Sequence, residues 1–106
     1  MVKVKAKLWL ERDGAFVLGK GRAELLRKVK EFGSLAKAAK SMRMSYSHAW
    51  SEVKAISESL GGSVIETSAG GRRGGGSRLT ATGERILRRY DLEEERMDKH
   101  LAKRNR

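Results

Sequence analysis

The sequence predicts an α+β fold that is mostly helical, with small β elements near the start and in the second half of the chain. Apolar residues recur at helical spacing in four stretches and alternate with polar residues in one. A glycine-rich loop interrupts the second half. A length of 106 residues suits one domain, so residues 1–106 are predicted to form a single core.

The N-terminal segment, residues 1–18, is predicted to be a β-hairpin. Apolar and polar side chains alternate through residues 2–11, which is the period of a half-buried strand. Asp13-Gly14 is a turn signal, and Phe16 to Leu18 would form the returning strand. The lysines of the first strand could protect a sheet edge or face phosphates, and edge lysines are the commoner arrangement.

Residues 19–62 are predicted to form three helices. The first runs from about Lys20 to Phe32, because its apolar residues follow helical spacing and Gly33 suits a helix end. Next comes a helix of about two turns, and then a longer one that Gly61-Gly62 closes.

The second and third of these helices have the features of a helix-turn-helix. Ser34 and Ser45 are good N-caps for them, and the link between them is only a few residues long. Ala38, Ala39 and Ala49 would allow the two helices to cross closely. This pattern alone is moderately specific, since many helical hairpins have alanine contacts.

Residues 63–80 are predicted to be a second hairpin. Strands at Val64–Thr67 and Arg78–Thr80 flank a nine-residue loop, Ala69–Ser77, with five glycines and two arginines. Helix, helix and then a hairpin with a basic tip is the order of a winged helix-turn-helix. The loop lacks the lysine and following helix of nucleotide-binding glycine loops. It is therefore either a solvent loop without a role or a DNA-contacting wing, and its arginines favour the wing.

Residues 81–106 are predicted to form a long C-terminal helix that begins after Thr80 or Thr82. Four apolar residues recur along it at heptad-like spacing and exceed what a small core needs, so we expect a homodimer seam there. The predicted dimerisation residues are Leu87, Tyr90, Met97 and Leu101. Glu94 lies on the same stripe, which weakens this prediction.

The composition favours a polyanionic partner and argues against catalysis. Lys and Arg number 24 against 13 acids, so the net charge is +11. The chain has no cysteine and two distant histidines, so neither a metal site nor any cofactor is expected. No nucleophile has an identifiable base, so we expect no enzyme. No signal peptide or membrane-spanning stretch is recognisable, which predicts a cytoplasmic, nucleoid-associated protein.

The third helix carries most of the predicted DNA contacts, because the first turns of that helix in a helix-turn-helix enter the major groove. Its polar residues lie opposite its apolar stripe, although a merely solvated face would have the same pattern. Trp50 and Tyr90 are predicted to pack in the core or a dimer rather than to stack on bases. The predicted DNA-binding residues are Ser34, Lys37, Ser45, Tyr46, Ser47, His48, Ser51, Lys54, Arg72, Arg73 and Arg78.

Residues 33–60 resemble the helix-turn-helix of LysR-type regulators, and nearly all of the chain resembles the DNA-binding domain of the molybdate-responsive ModE family. The residues that carry this resemblance are Ser45-Tyr46, Ala49-Trp50, Val53, the glycine-rich loop, Leu79-Thr80, Gly83 and Tyr90-Asp91. The resemblance implies a dimeric transcription factor whose recognition helix enters the major groove while its wing reaches the DNA backbone. ModE proteins usually carry C-terminal molybdate-binding domains, but nothing in these residues resembles an oxyanion pocket, so molybdate binding is not expected.

The sequence thus predicts a homodimeric, sequence-preferring regulator that binds double-stranded DNA. Two alternatives remain open. The first is an architectural protein that coats the chromosome with little sequence preference, which the charge would suit. The second is a winged helix that binds a protein partner instead of DNA.

Overall fold

The predicted α+β architecture is confirmed by the computed structural model, which describes residues 1–68 and 76–106. Four helices and two separate two-stranded antiparallel sheets make up this part of the chain. In chain order the elements are β1 (Leu10–Arg12), β2 (Ala15–Leu18), α1 (Lys20–Phe32), α2 (Leu35–Ser41), α3 (Tyr46–Leu60), β3 (Ile65–Ser68), β4 (Gly76–Leu79) and α4 (Ala81–Arg104).

Local capping signals mark the end of α1, the start of α2 and the end of α3. Gly33 closes α1 in the left-handed conformation, with φ of 65°, and Gly61 closes α3 with φ of 71°. Ser34 caps α2, since its hydroxyl oxygen accepts the Lys37 N–H at 3.1 Å. Because each signal acts on its own helix end, these boundaries require no knowledge of the tertiary fold.

The core lies where these three helices meet. The α1 residues Leu25, Leu26 and Val29 are fully buried. Small residues of α2 and the apolar stripe of α3 pack in the same cluster. Those residues are Ala38, Ala39, Ala49, Val53 and Ile56. The alanines keep the space between α2 and α3 small, as expected for a helix-turn-helix.

The N-terminal hairpin is much shorter than predicted. The strand expected over residues 2–11 is reduced to Leu10–Arg12, because β2 ends at Leu18 and the chain then turns into α1. Leu10 is paired with Leu18, so continuing the ladder would place earlier residues opposite a helix. Val4 instead pairs with a side chain, since its N–H and C=O bond to the Asn105 amide at 2.8 and 2.9 Å.

The second hairpin forms as predicted, with shifted boundaries. Its register pairs Ile65 with Leu79 and Glu66 with Arg78, and β4 already begins at Gly76 inside the predicted loop. The hairpin is fixed at two points on the helices. The Val64 N–H donates to the Ser57 hydroxyl on α3 at 3.1 Å. The Ser77 N–H donates at 2.9 Å to the carbonyl oxygen of Gly33, the residue that closes α1. The predicted contacts Arg72 and Arg73 lie outside the described residues.

Helix α4 is capped by Thr80 and not by Thr82. The Thr80 hydroxyl oxygen accepts the Gly83 N–H at 3.1 Å, and the Thr80 N–H donates to the Val64 carbonyl at 3.0 Å. Further along, Tyr90 is buried and its hydroxyl donates to a Glu94 carboxylate oxygen at 3.0 Å. Burial, reinforced by Glu94, raises the pKa of Tyr90 to about 12. The bond to Glu94 gives this acid a structural partner on the apolar stripe.

The predicted dimerisation residues divide into two pairs. Leu87 and Tyr90 are only 5% and 1% exposed, so the chain's own core already covers the side chains that were expected to face a partner. The reason is that the first half of α4 lies over α1, where the same stripe completes the core. Met97 and Leu101 continue the stripe and are half-buried. A seam along this stripe would therefore lie in the second half of α4.

Gly83 provides a test of how α4 is joined to the second hairpin. A Cβ at this position would lie 2.1 Å from the Val64 carbonyl oxygen. Gly83→Ala should therefore destabilise the protein by about 1–3 kcal/mol, despite the better helix propensity of alanine. The control is Gly21→Ala in α1, where a Cβ would meet no heavy atom within 4 Å. Urea denaturation should give opposite shifts for the two variants, and equal shifts would contradict the close contact.

Candidate nucleic-acid interface

The outward side of α3 is polar, as predicted. Ala49, Val53 and Ile56 fix its inner side by their burial. On the helical period, Ser47, Ser51 and Lys54 lie on the opposite side, and all three are exposed. Hydroxyl groups and one ammonium group are therefore presented to solvent along the first three turns.

The first turn of α3 is suited to a negatively charged partner. Ser45 is the N-cap, and its hydroxyl oxygen accepts the His48 N–H at 3.1 Å. No acidic residue lies in this turn. The partial positive charge of the helix N-terminus is therefore not compensated by a carboxylate of its own first turn.

Glu52 is the one acid that interrupts the early part of this helix, and it is engaged with Arg22. The Arg22 Nε and Glu52 Oε2 atoms lie 2.5 Å apart, and both side chains are mostly buried. Arg22 also donates to the Val17 carbonyl at 3.0 Å and lies 4.7 Å from the ring centroid of Phe16. This cluster ties α3 to α1 and β2 and removes an uncompensated negative charge from the candidate interface.

The predicted contact His48 lies on the same flank as Glu52. Its Nε2 atom is 3.8 Å from Glu52 Oε1, and its side chain is 59% exposed. His48 also lines a groove of about 950 Å³ that runs between the N-terminal segment and α4. It is therefore placed to one side of the serine face, towards α1.

The opposite flank of α3 is aromatic. Tyr46 and Trp50, one turn apart, are 54% and 47% exposed. Trp50 was predicted to pack in the core or in a dimer, and the core alternative is wrong. The helical period places it roughly 90° from the centre of the buried stripe, so projecting each residue individually would have identified it.

The remaining predicted residues lie on α2 and on the second hairpin. Ser34 is half-buried as the cap of α2, whereas Lys37 is exposed one turn later. Arg78 projects from β4 and its Nε lies 2.6 Å from Glu66 Oε1, with 80% of the arginine side chain exposed. A shallow hollow lined by Gly33 and both strands brings Arg78 close to the start of α2.

A set of exposed cations surrounds the start of α3. Lys37, Lys40, Arg43 and Lys54 are exposed, and none of them forms an ion pair within residues 1–68 and 76–106. The sequence prediction missed Lys40 and Arg43. Arg43 occupies the link between α2 and α3 with φ of 56°, and a turn this short could have indicated that its side chain faces outward.

Other chemistry has little support in the described part of the chain. No group of three or more histidine, cysteine or acidic side chains there is placed to hold a metal ion. Among the same residues no helix is both long and apolar enough to cross a lipid bilayer.

Residues 22–84 match the sequence model of the bacterial regulatory helix-turn-helix proteins of the lysR family. The transcriptional regulator ModE of Haemophilus influenzae is 33% identical over 92 residues, which cover 87% of this chain and 36% of that protein. The molybdenum-pterin-binding protein MopB of Rhodobacter capsulatus is 37% identical over 93 residues, which cover 88% of this chain and 34% of MopB. The chain thus spans about a third of the length of these relatives.

A solved structure also matches most of the fold. In the complex of the CbnR DNA-binding domain with DNA, the protein superposes with a TM-score of 0.57 and 26% sequence identity. The alignment covers 80% of this chain and 97% of that domain.

Proposed function

The chain belongs to the lysR family of bacterial regulatory helix-turn-helix proteins and is a ModE-like helix-turn-helix domain, and from this we propose that it is a transcriptional regulator that binds double-stranded DNA as a homodimer. In this proposal α3 enters the major groove and the second hairpin reaches the backbone or the minor groove. The observation that carries it is the acid-free, hydroxyl-bearing face at the start of α3, surrounded by exposed cations.

Affinity and sequence preference would come from different side chains. Lys37, Lys54 and Arg78 are exposed cations that suit phosphate oxygens, which position a protein without reading sequence. Ser47, Ser51 and Tyr46 carry hydroxyls that can donate to or accept from base edges, and the His48 imidazole can do the same. The hydroxyls of Ser34 and Ser45 cap the first turns of α2 and α3. We propose that these two helix N-termini approach phosphates. Arg72 and Arg73 are proposed for the wing on the sequence alone.

The homodimer proposal rests on the second half of α4. This helix has 24 residues, about 36 Å, and the chain has extents of 54 × 29 × 21 Å. The helix therefore extends past the three-helix core, and its half-buried Met97 and Leu101 suit the same residues of a second copy. A twofold pair would present two copies of α3 to successive turns of the major groove.

The comparisons favour a regulator over an architectural protein. The ModE relative is named as a transcriptional regulator, whereas only the net charge of +11 suits a chromosome-coating role. The family match covers residues 22–84, which include the helix-turn-helix and the second hairpin. Because this match concerns a helix-turn-helix, it gives no reason to propose molybdate binding. A protein that regulates transcription in this way would be cytoplasmic and associated with DNA.

The salt dependence of binding tests the phosphate contacts. Lys54→Ala should reduce the slope of log affinity against log salt by about one, and the Arg72→Ala/Arg73→Ala double variant by about two. The reason is that a phosphate that loses its contact with a cationic side chain keeps its counterion when the protein binds. Lys103→Ala, which removes one charge near the end of α4, is the control for net charge and should leave the slope unchanged. Fluorescence anisotropy over a salt series measures the slopes. If the double variant keeps the slope of the parent protein, the proposal that Arg72 and Arg73 form a DNA-contacting wing is contradicted.

Base preference is tested by selecting bound duplexes from a random pool. The parent protein should enrich a defined site, and the Ser47→Ala/His48→Ala variant should enrich a different or less defined one, because the lost groups are proposed to face base edges. Each protein is then titrated with the selected and a scrambled duplex. Equal losses on both duplexes would remove these residues from base recognition, and the absence of any enriched site would favour the architectural alternative.

Sedimentation tests the homodimer. The parent should be a dimer at micromolar concentration and should select half-sites about 34 Å apart or a multiple of that distance. Met97→Lys/Leu101→Lys should be monomeric, because two charges would be buried in the seam. Leu92→Lys is the control, since Leu92 is 41% exposed on the other side of α4. A monomeric parent, with and without DNA, would contradict the proposal.

A further inference from the structure

The exposed aromatic flank of α3 is unexplained by the chain's own packing. Trp50 retains 47% of its accessible surface, although tryptophan is among the side chains whose burial contributes most to stability. The inner side of the helix is already filled by Ala49, Val53 and Ile56, which are at most 2% exposed. Trp50 lies outside that stripe, so the fold does not require an aromatic residue there.

The neighbours of Trp50 place it in the candidate interface. Tyr46 lies one turn before it and Lys54 one turn after it, while Ser47 and Ser51 lie beside it on the outward face. In the proposed function Lys54 contacts a phosphate and the serines face base edges. The indole then lies on the flank beside these groups, from which it can reach base edges.

Only one base carries a methyl group on its edge in the major groove. All four bases present hydrogen-bonding atoms there, but thymine alone presents a 5-methyl group. An indole ring offers a broad apolar surface to such a methyl group, whereas cytosine presents only a hydrogen at its C5 position and a polar amino group beside it at C4. The chemistry of the side chain therefore matches A·T pairs at the positions that it reaches.

We propose that Trp50 is a specificity-determining residue that packs against the 5-methyl group of thymine in the major groove. This inference rests on the proposed function, because it requires α3 to enter that groove. It adds an apolar contact to the hydrogen bonds offered by the serines.

Replacing thymine by uracil removes only the methyl group and therefore tests the contact directly. In the duplex selected by the parent protein, each thymine is replaced in turn. We expect affinity to fall about fourfold at the thymine that Trp50 contacts, the value for burying one carbon group. Trp50→Ala should bind the thymine and uracil duplexes equally. Trp50→Leu, which keeps an apolar side chain, should retain part of the discrimination.

The chain offers a matched control in Trp9, its other tryptophan, which is 50% exposed on the N-terminal segment. Trp9→Phe should keep the full preference for thymine. It also leaves Trp50 as the only indole, so its fluorescence should change when the selected duplex is added. Circular dichroism of each variant confirms that the helices are retained.

The outcomes separate this inference from the proposed function. If the parent binds its selected duplex but no uracil replacement weakens binding, or if Trp50→Ala discriminates as well as the parent, the inference about Trp50 fails alone. Unchanged Trp50 fluorescence on a bound duplex would also overturn it. If the parent binds no duplex at low salt, both the inference and the proposed function fail.

Discussion

The close crossing of α2 and α3 is the constraint on which the rest of the structure depends. Ala38, Ala39 and Ala49 are at most 1% exposed, and larger side chains there would push the helices apart. α3 packs in the core through Ala49, Val53 and Ile56 and is also held by polar ties along its sides. Its outward face takes part in neither kind of contact.

These polar ties also set the position of the neighbouring elements. The Arg22–Glu52 pair binds the flank of α3 that faces α1 and β2. Ser57, further along α3, accepts the Val64 N–H, and the Arg12 guanidinium donates to the Leu60 carbonyl at the helix end. Since Val64 in turn accepts the Thr80 N–H before α4, the recognition helix, the second hairpin and the last helix form one connected arrangement.

Features that depend on neighbouring residues were predicted from the sequence more accurately than features that depend on distant residues. Helix ends at Gly33 and Gly61 and caps at Ser34 and Ser45 follow from local backbone chemistry, and they were predicted correctly. The strand over residues 2–11 failed because a strand needs a partner, and periodicity does not reveal whether one is available. Leu87 and Tyr90 were assigned to a seam because an apolar stripe does not specify which surface it packs against.

The distribution of charge explains how so basic a chain can present an acid-free face without losing its fold. Several acids are used within the described structure: Glu52 binds Arg22, Glu66 binds Arg78, and Glu84 binds Lys30. Each pair links elements that are distant in sequence or opposite in a hairpin. Because these acids are already paired with other cations, they do not neutralise the exposed cations around α2 and α3. The same pairing that holds the helices together therefore leaves a positive field beside the serine and aromatic faces of α3, where attraction to a polyanion and recognition of its bases can act together.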